Sequence, residues 1–307
     1  MNLVPQNSLR KTGRLSRSVK FSVIIPTFNR NDLLSQCLDC LIEGKQSGMS
    51  MNHKSSQKKN IYEIIVTDDS QTPKTKMFLQ ENYPEVLHIY GPGKGPASNR
   101  NRGASFARGK WLIFTDDDCI PYKDWLSSYC KSIMDNKNIR AFEGSIHPKG
   151  NLDEDLAECP QNINGGNFWS ANICVEKKLF DEINGFDENY KIAANEDQDI
   201  KIRIEKETEI IFVPDAKVVH PVRRREILPS ITRIPNVVES WAYHVTKHGN
   251  NLNIKNINEA LSETLYFNIR AIIYHLKDHH FKSVLINLIL ILWGIPRFYF
   301  LLKRNHF

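Results

Sequence analysis

The sequence predicts an α/β fold with a mostly parallel central sheet flanked by helices. One observation is a series of short, continuous apolar runs, such as FSVIIP and WLIF, separated by segments with helical spacing. Continuous runs of this length are typical of strands that are covered on both faces in a parallel sheet. A second observation is that these runs end in polar residues, and in open α/β sheets ligands bind at the carboxyl ends of the strands. The alternation of strand and helix therefore indicates βαβ units with a ligand site at one edge.

The segment that organises the predicted sheet is 110–119, KWLIFTDDDC, in which an apolar strand ends in three adjacent acids. Alternation along a strand end directs Asp116 and Asp118 to one side and Asp117 to the other. Hard divalent cations take oxygen ligands and often bridge carboxylates to substrate phosphates. We therefore interpret Asp116 and Asp118 as a metal and phosphate site. The alternative is an acidic turn that only closes the strand.

The first half of the chain supplies further strand tips that carry polar or glycine residues. Asp68 and Asp69 follow the second strand, and GPGKG at 91–95 follows the third, where glycine lets the backbone approach a ligand closely. Residues 44–60 are polar and rich in Ser and Lys, so we expect a poorly ordered surface excursion there. The predicted elements are, in order, strand 21–26, helix 31–43, strand 62–67, helix 74–82, strand 86–90, helix 96–109 and the strand of 110–119.

The second half is predicted to continue the sheet and to place acids at the start of a helix. Asn195, followed three residues later by Gln198, has the form of a capping box. Acids in a first turn complement the helix dipole without any chemistry, which gives Glu196 and Asp197 a structural alternative. The other predicted elements are helix 124–137, strand 140–146, an acidic, turn-rich connection over 150–166, strand 167–175, helix 179–183 and a strand over 209–220 interrupted at Pro214.

Composition and charge limit the possible classes of function. Lys and Arg number 41 against 35 Asp and Glu, a formal net charge of +6. This mildly basic balance suits a nucleotide-bearing substrate or an anionic membrane better than sequence-specific DNA, and we predict no nucleic-acid partner. Six cysteines without a secretory signal favour a reducing, cytoplasmic location. Residues 1–20 are basic with no acid, and are predicted to form a flexible tail attracted to anionic lipid.

The C-terminal region is predicted to be helical and to contact a membrane. Amphipathic spacing indicates helices over 236–248 and 256–280. Residues 284–302 are almost long enough to span a bilayer, but Asn287, Pro296 and Arg297 interrupt them. An in-plane anchor is therefore favoured, with packing against a protein surface and a clean span as alternatives. The predicted domains are a basic tail (1–20), an α/β domain (21–225) and a C-terminal helical region (226–307).

Five blocks of sequence resemble, in this order, the family-2 inverting glycosyltransferases of the GT-A fold: FSVIIPTFNR, EIIVTDDS, PASNRNRGASFARGKWLIFTDDDCIP, GGNFWSANICVEKKLFDEINGFDE and NEDQDI. The resemblance implies transfer of a sugar from a nucleotide-diphosphate donor, with a UDP-sugar favoured, and Mn²⁺ or Mg²⁺ as cofactor. It implies as acceptor a hydroxyl of a glycan or lipid-linked glycan at the cytoplasmic face of a membrane, in polysaccharide or glycoconjugate synthesis.

By this resemblance the donor binds at the strand tips. Asp69 corresponds to the carboxylate that binds the nucleotide base, with Thr27 nearby, and Arg100 to the basic residue that neutralises phosphate. Asp116 and Asp118 correspond to the DxD pair that holds the cation and the ribose. The alternatives are a strand-capping turn for Asp69 and a solvated helix face for Arg100. The expected donor-binding residues are Thr27, Asp69, Arg100, Asp116, Asp117, Asp118 and Arg223.

The resemblance also places the catalytic base in the acidic pair of NEDQDI, and we expect Asp197 with Glu196 as the second choice. Inversion by a single displacement needs one carboxylate to take the proton of the acceptor hydroxyl. His220 is expected to complete the coordination of the metal beside the DxD pair, and Arg223 to contact diphosphate oxygens. A surface histidine and a solvated arginine run are the alternatives.

Trp169 and Asn167 are the expected acceptor-binding residues. An indole ring can stack on the apolar face of a sugar, although a strand tryptophan is as often part of the core. Two other functions remain open. A sugar-nucleotide nucleotidyltransferase usually carries its glycine-rich loop after the first strand, where this chain has PTFNR. A non-catalytic nucleotide-sugar-binding protein would not need DDS, DDD and ED together.

Overall fold

The computed structural model describes residues 20–42, 44–51, 61–70 and 72–305. The predicted tail therefore lies almost wholly outside the described residues. The strands of the described chain are β1 (Lys20–Thr27), β2 (Ser50–Met51), β3 (Ile61–Asp68), β4 (Leu87–Tyr90), β5 (Trp111–Thr115), β6 (Ile120–Pro121), β7 (Ala141–Lys149), β8 (Ala157–Glu158), β9 (Asn172–Glu176), β10 (Ile210–Pro221) and β11 (Arg223–Arg224).

Helices cover both faces of the sheet and make up the C-terminal region. The segment Leu290–Gly294 is a π-helical turn that joins the last two helices into one continuous rod. The helices are α1 (Asn31–Asp39), α2 (Pro73–Asn82), α3 (Pro96–Phe106), α4 (Trp125–Asp135), α5 (Lys177–Glu182), α6 (Glu196–Glu205), α7 (Ile227–His248), α8 (Ile257–Lys277), α9 (Phe281–Ile289) and α10 (Ile295–Arg304).

The main sheet of the described chain has the strand order β2-β3-β1-β5-β9-β7-β10-β6, and β4 also pairs with β3. Strands β1 to β5 run parallel to one another, as do β7 and β10. Strand β9 is antiparallel to both of its neighbours, and β6 is antiparallel to β10. The prediction of a mostly parallel sheet flanked by helices is confirmed.

The register of the central strands brings the predicted site loops to one edge. Thr27 at the end of β1 pairs with Asp68 at the end of β3, and Ile24 pairs with Phe114 of β5. Because the three strands are parallel, the residues that follow each of them leave the sheet on the same side. The loop after β1, Asp69 and the three acids after β5 therefore meet there.

The core forms two layers because side chains alternate across the sheet. On β1, Val23 and Ile25 join the cluster beneath α1 and α4, whereas Ile24 joins the cluster on the opposite face. Both faces of these central strands are fully buried, as the continuous apolar runs predict. In α1 the spacing of Leu34 and Leu38 turns one stripe of the helix onto the sheet.

The prediction for 44–60 is wrong for the part that the structure describes. Gln46, Met49 and Met51 are buried, and β2 extends the sheet beside β3. The side chain of Gln46 donates to the carbonyls of Cys40 and Tyr122, at 2.9 and 3.1 Å. The prediction failed because the segment is rich in Ser and Lys overall, although two of its methionines are core residues. Residues 52–60 lie outside the described residues.

Strand β10 confirms the predicted interruption at Pro214. Its pairing with β7 shifts register between Val213 and Lys217, and the hydroxyl of Ser145 donates to the Pro214 carbonyl at 2.7 Å. Proline lacks the N–H that a regular ladder needs, so the strand bulges around it. After the bulge the strand continues to His220, which it delivers to the site edge.

The C-terminal helices pack on the sheet domain through α7. The imidazole of His248 lies 2.7 Å from the buried carboxylate of Asp199 in α6, and His244 lies 2.9 Å from the hydroxyl of Tyr190. Lys247 forms a second ion pair with Asp199 at 2.6 Å. A third apolar cluster then joins α7 to α8 and α10. The helix that carries the predicted base is therefore fixed directly to the C-terminal region.

Replacing Asp199 by Asn is expected to lower the free energy of unfolding at pH 7 by about 3 kcal/mol, because it removes the charge of a buried carboxylate that Arg203, Lys247 and His248 all contact. Burial opposes its charge, yet Lys247, His248 and Arg203 lower the pKa of Asp199. Its stabilising contribution is thus present above the unfolded pKa of about 4 and is lost as pH falls through the lower folded pKa. Urea unfolding between pH 7 and pH 3 measures both effects.

The matched control is Asp181→Asn, which breaks a surface ion pair with Lys177. Like the ion pair of Asp199 with Arg203, this pair joins residues four positions apart in a helix. The cost of the control substitution is expected to stay below about 1 kcal/mol. Equal losses for the two variants would contradict the assigned role of Asp199.

Phe281–Arg304 is the one helix of the described chain that is long and apolar enough to cross a membrane, by length and composition alone. Only 17% of its most apolar window is buried, so it is not the core helix of this domain. Pro296 does not interrupt the helix, because the preceding π turn accommodates the missing N–H. Arg297 forms an ion pair with Glu239 of α7.

Candidate active site

The three acids after β5 lie in a turn closed by a hydrogen bond from the Cys119 amide to the Asp116 carbonyl, and they contact different partners. Asp117 turns back under the sheet edge, where its carboxylate accepts from the hydroxyl of Thr27 at 2.7 Å and forms an ion pair with Arg30 at 2.5 Å. Burial raises the pKa of Asp117 to about 7, although Arg30 and Thr27 lower it. Asp117 and Thr27 therefore form an internal brace beneath the open face of the site.

Asp118 lies at the centre of a polar cluster on the other side. Its Oδ1 atom is buried, accepts no hydrogen bond, and lies 3.4 Å from Nε2 of His220. Its Oδ2 atom is contacted by Arg223 and, at 3.5 Å, by Arg30. A buried carboxylate oxygen without a donor beside an imidazole nitrogen is a fitting donor set for Mn²⁺ or Mg²⁺. His220 is itself buried, and its Nδ1 atom lies 2.8 Å from the Pro221 carbonyl, which orients the ring.

Asp118, Cys119 and His220 offer possible ligand atoms that all lie within 4.8 Å of one another. The sulfur of Cys119 is the least suitable of the three. Burial raises the pKa of this thiol well above its ordinary value, and a protonated thiol is a poor ligand for a hard cation. The geometry therefore supports Asp118 and His220 as ligands, and leaves Cys119 as part of the core.

Asp116 lies on the opposite side of the cluster, against Arg100. The Arg100 guanidinium contacts Asp116 at 2.9 Å and Glu196 at 3.2 Å, and its side chain is almost fully buried. Burial opposes the charge of Asp116, but Arg100 and His220 lower its pKa. Arg100 is thus not on a solvated helix face. It joins the strand acids to the acidic pair at the start of α6.

The acidic pair Glu196 and Asp197 shares this one guanidinium. Burial and the charge of Asp197 raise the pKa of Glu196 to about 8 against the effect of Arg100. Burial also raises the pKa of Asp197, against Arg100 and hydrogen bonds from Ser170. Oδ1 of Asp197 is buried and has no hydrogen-bond partner. A carboxylate with a raised pKa and a free lone pair is suited to accept a proton.

The predicted capping box at this helix does not form. Asn195 adopts a left-handed conformation with φ of 69°, and its side chain donates to Ser240 of α7 at 3.1 Å. Gln198 instead donates to the carbonyl of Asn167 at 2.9 Å. The contact with α7 has replaced the local cap, so the tight turn at Asn195 aims the acidic pair at the strand tips.

Asp69 lies at the tip of β3 above the glycine-rich loop. Its Oδ1 atom accepts from the amide of Gly93 at 2.9 Å, and burial raises its pKa. A Cβ atom on Gly91 would lie 2.1 Å from the same oxygen, so only glycine fits there. The loop therefore brings the backbone amides of Gly93 and Gly95 against Asp69.

The predicted acceptor residues lie in a loop that Glu143 organises. The buried carboxylate of Glu143 accepts from the amides of Gly166 and Phe168, at 2.5 and 2.7 Å. Trp169 is half-buried, packs against the core and donates to the Gln161 carbonyl at 3.1 Å. Asn167, which is exposed, donates to the same carbonyl. Part of the Trp169 ring is thus used in core packing.

The three arginines after His220 form separate ion pairs rather than a solvated run. Arg223 contacts Asp118, Arg224 contacts Glu154, and Arg225 contacts Glu158 at 2.5 Å. The pairing of β11 with β8 holds them along the 150–166 connection. Only Arg223 reaches the strand acids.

Sequence reasoning missed two residues of this site. Arg30 ends the loop after β1 and contacts both Asp117 and Asp118. Ser170, which is buried, hydrogen-bonds to Asp197. The position of Arg30 at a strand tip was a usable signal. Ser170 had none, because its contact depends on how β9 enters the sheet.

A mostly parallel sheet with these acids, a basic residue and an acidic helix start at one edge is the arrangement expected of the GT-A fold. Residues 22–159 match the family model described as glycosyl transferase family 2. This match covers less than half of the chain, and it confirms the resemblance to family 2 that the five sequence blocks predict.

Curated relatives match part of the chain. A poly(ribitol-phosphate) beta-glucosyltransferase of Bacillus spizizenii is 31% identical over 106 residues, which are 33% of this chain and 15% of the relative. The GalNAc(5)-diNAcBac-PP-undecaprenol beta-1,3-glucosyltransferase of Campylobacter jejuni is 30% identical over 136 residues, 43% of this chain and 38% of the relative. The matched regions thus cover well under half the length of these relatives.

Solved structures support the same fold. A mannosyltransferase from Pyrobaculum calidifontis, in complex with GDP-Man and Mn²⁺, superposes with a TM-score of 0.55 at 16% identity and covers 90% of this chain and 88% of its own. The S. aureus protein TarS in complex with UDP gives 0.52 at 16% identity, over 94% and 91% of the two chains. Both likenesses are to the fold.

Proposed function

We propose that this chain is a metal-dependent inverting glycosyltransferase that moves a sugar from a nucleotide-diphosphate donor, with a UDP-sugar favoured, to a hydroxyl of a glycan or lipid-linked acceptor. The observation that carries the proposal is the arrangement around Arg100, which joins Asp116 at the strand tips to Glu196 beside Asp197. A single displacement at a sugar carbon requires a divalent cation at the departing diphosphate and a proton acceptor at the attacking hydroxyl. The candidate groups for these two roles lie on either side of the buried Arg100. The acceptor belongs to polysaccharide or glycoconjugate synthesis.

Asp69 and the Gly91–Gly95 loop would hold the nucleotide base, and Arg100 with Arg223 the diphosphate. Asp116, Asp118 and His220 would hold Mn²⁺ or Mg²⁺, which supplies positive charge to the departing diphosphate when bound. Asp197 would take the proton of the acceptor hydroxyl, while the charge of Arg100 keeps its carboxylate able to ionise in a buried setting. Asn167 and Trp169 would form the acceptor side of the site.

In the structure both Arg30 and Arg223 form ion pairs with the carboxylate of Asp118. Their side chains are 37% and 43% exposed, so both can turn outward to solvent or to a phosphate. We therefore infer that these arginines would release the Asp118 carboxylate when it holds a cation, and that Arg223 would then contact diphosphate oxygens.

We also propose that the chain acts at the cytoplasmic face of a membrane, with the transferase domain at 21–225 and the helical region at 226–307. The support is the exposure of the apolar helix Phe281–Arg304 and its basic end at Lys303 and Arg304. Anionic lipid would attract such an end, and a helix with buried contacts to α7 on one side suits an in-plane position.

The proposal is tested by incubating the purified full chain with a panel of nucleotide sugars and Mn²⁺ or Mg²⁺, with and without lipid-linked acceptors. Release of nucleoside diphosphate is expected with one donor, with inversion at the anomeric carbon of the product. Absence of release from every donor would contradict it. Release of pyrophosphate would favour a nucleotidyltransferase instead.

A further inference from the structure

A cavity of about 520 Å³ lies among the C-terminal helices, outside the cluster of strand acids. Its volume is within the range of about 300–1,000 Å³ that is usual for ligand pockets. Helices α7, α8 and the rod of α9 and α10 form its walls. Its lining includes Asn195, Val237, Trp241, Phe267, Ile295 and Phe298.

The walls of this cavity are largely apolar, and most of the polar groups among them already have partners; Glu263, an exposed carboxylate, also lines the cavity. The hydroxyl of Thr264 accepts from the indole N–H of Trp241 at 3.1 Å and donates to the Ala260 carbonyl at 2.8 Å. The amide group of Asn268 donates to the Thr264 carbonyl at 2.8 Å. A ligand in the cavity would therefore meet hydrocarbon rather than free donors, which suits a hydrocarbon chain.

The lining of the cavity includes the residue that precedes α6. Asn195, part of the lining, directly precedes Glu196 and Asp197 in the chain. Phe267, also part of the lining, has a side chain that is 76% exposed. Around this opening the outer faces of α8, α9 and α10 carry further exposed apolar residues, among them Leu292 and Phe300. The lining of the cavity thus includes both an exposed apolar residue of α8 and the residue that precedes the acidic pair of α6.

A cationic side chain lies near Asn195. Arg233 lies one helical turn before Val237 on α7, and therefore on the same face. Its guanidinium donates to the Ala193 carbonyl at 2.6 Å, two residues before Asn195. Arg225 and Arg223 lie close enough to add to the positive charge, with Glu158 and Glu196 as the facing acids.

A negatively charged ligand would stabilise the Arg233 side chain in its present position. Within the described part of the chain no carboxylate forms an ion pair with Arg233, whereas Arg223, Arg224 and Arg225 each have one. Burial and the neighbouring Arg225 lower its pKa. A phosphate group would supply both charge and acceptor oxygens to such a half-buried guanidinium.

We propose that this cavity binds the hydrocarbon chain of a single-chain lipid phosphate, with the phosphate held by Arg233 and the group it carries presented to Asp197. The inference rests on the proposed function, since it names the class of its acceptor. The chain lies between α7 and α8, the phosphate at Arg233, and the lipid enters from the membrane at Phe267.

The test uses a farnesyl phosphate that carries a diazirine at its terminal carbon, with the full chain in phosphatidylcholine nanodiscs. Irradiation is expected to label peptides from 237–241, 264–268 and 290–298. Unlabelled farnesyl phosphate should compete about tenfold better than farnesol, because hydrogen bonds to a charged group are the stronger ones. Inorganic phosphate alone should not compete at equal concentration.

Two variants separate the cavity from its charged end. Val237→Trp fills the cavity and should reduce labelling of its walls about tenfold. Arg233→Gln should preserve labelling but remove the preference for farnesyl phosphate over farnesol. Leu228→Trp, at an exposed position of the same helix, and Arg270→Gln, on the surface of α8, are the matched controls and should change neither readout.

Labelling spread over the outer apolar faces and unaffected by Val237→Trp would overturn the inference, as would equal competition by farnesol. Crosslinks between two protein copies across the cavity would overturn it as well, by naming another occupant. The proposed function is tested in a separate assay, in which release of nucleoside diphosphate is measured with a donor alone. Cavity labelling without any release would refute the proposed function and leave the lipid site, whereas release without labelling would do the reverse.

Discussion

Replacing Asp197 by asparagine is expected to lower kcat by a factor of about 10²–10⁴, the usual contribution of a positioned general base. Asparagine keeps the shape of the side chain and its contact with Ser170, but it cannot take a proton. Because burial raises the pKa of Asp197, the acid limb of the wild-type pH–rate profile should lie above the ordinary range for aspartate. The variant should lose that limb, since its remaining rate no longer depends on this ionisation. Steady-state kinetics across pH 5 to 9 measure both changes.

Two comparisons make the result specific. Glu205→Gln, on the exposed last turn of the same helix, should behave as wild type. Glu196→Gln should lower activity less than Asp197→Asn if Asp197 is the base, and more if the roles are exchanged. Nucleoside diphosphate binding should survive in all three variants. A kcat for Asp197→Asn within a factor of about three of wild type would remove Asp197 from the mechanism.

The sheet and the strand-tip site could be predicted because each depends on local patterns. Continuous apolar runs gave β1, β3 and β5, and parallel strands necessarily bring their carboxyl ends to one edge. Strand alternation does not extend to the three acids, because β5 ends at Thr115 and they lie in the turn that follows, where Arg30 contacts both Asp117 and Asp118. No comparable rule fixes which of several acids is the base.

Other features depend on contacts between segments far apart in sequence, and these were not predictable. The capping box at Asn195 failed because Ser240 of α7 offers its side chain another partner. Met49 and Met51 are core residues because β3 presents an open edge to them, which the composition of 44–60 does not reveal. Long-range partners of this kind override local propensity.

Replacing Asp118 by asparagine is expected to abolish the increase in donor binding that Mn²⁺ produces, a loss of at least about 100-fold, because one carboxylate supplies several kcal/mol of cation binding. Isothermal titration with UDP, in the presence and absence of Mn²⁺, measures this difference directly. Binding without the cation should be kept or should rise, since the substitution frees Arg223 from Asp118 for phosphate oxygens, while Arg30 keeps its ion pair with Asp117.

The effect on folding should differ from that of Asp199→Asn, although both carboxylates are fully buried. The arginine partners of Asp118 are more than a third exposed and can return to water, whereas His248 beside Asp199 is 4% exposed and cannot. Asp118→Asn should therefore retain most of the stability of the wild type while losing its response to the cation. Asp135→Asn, at an exposed position of α4, is the matched control and should change neither property. An unchanged Mn²⁺ response in a folded Asp118→Asn variant would show that this carboxylate serves the arginines alone.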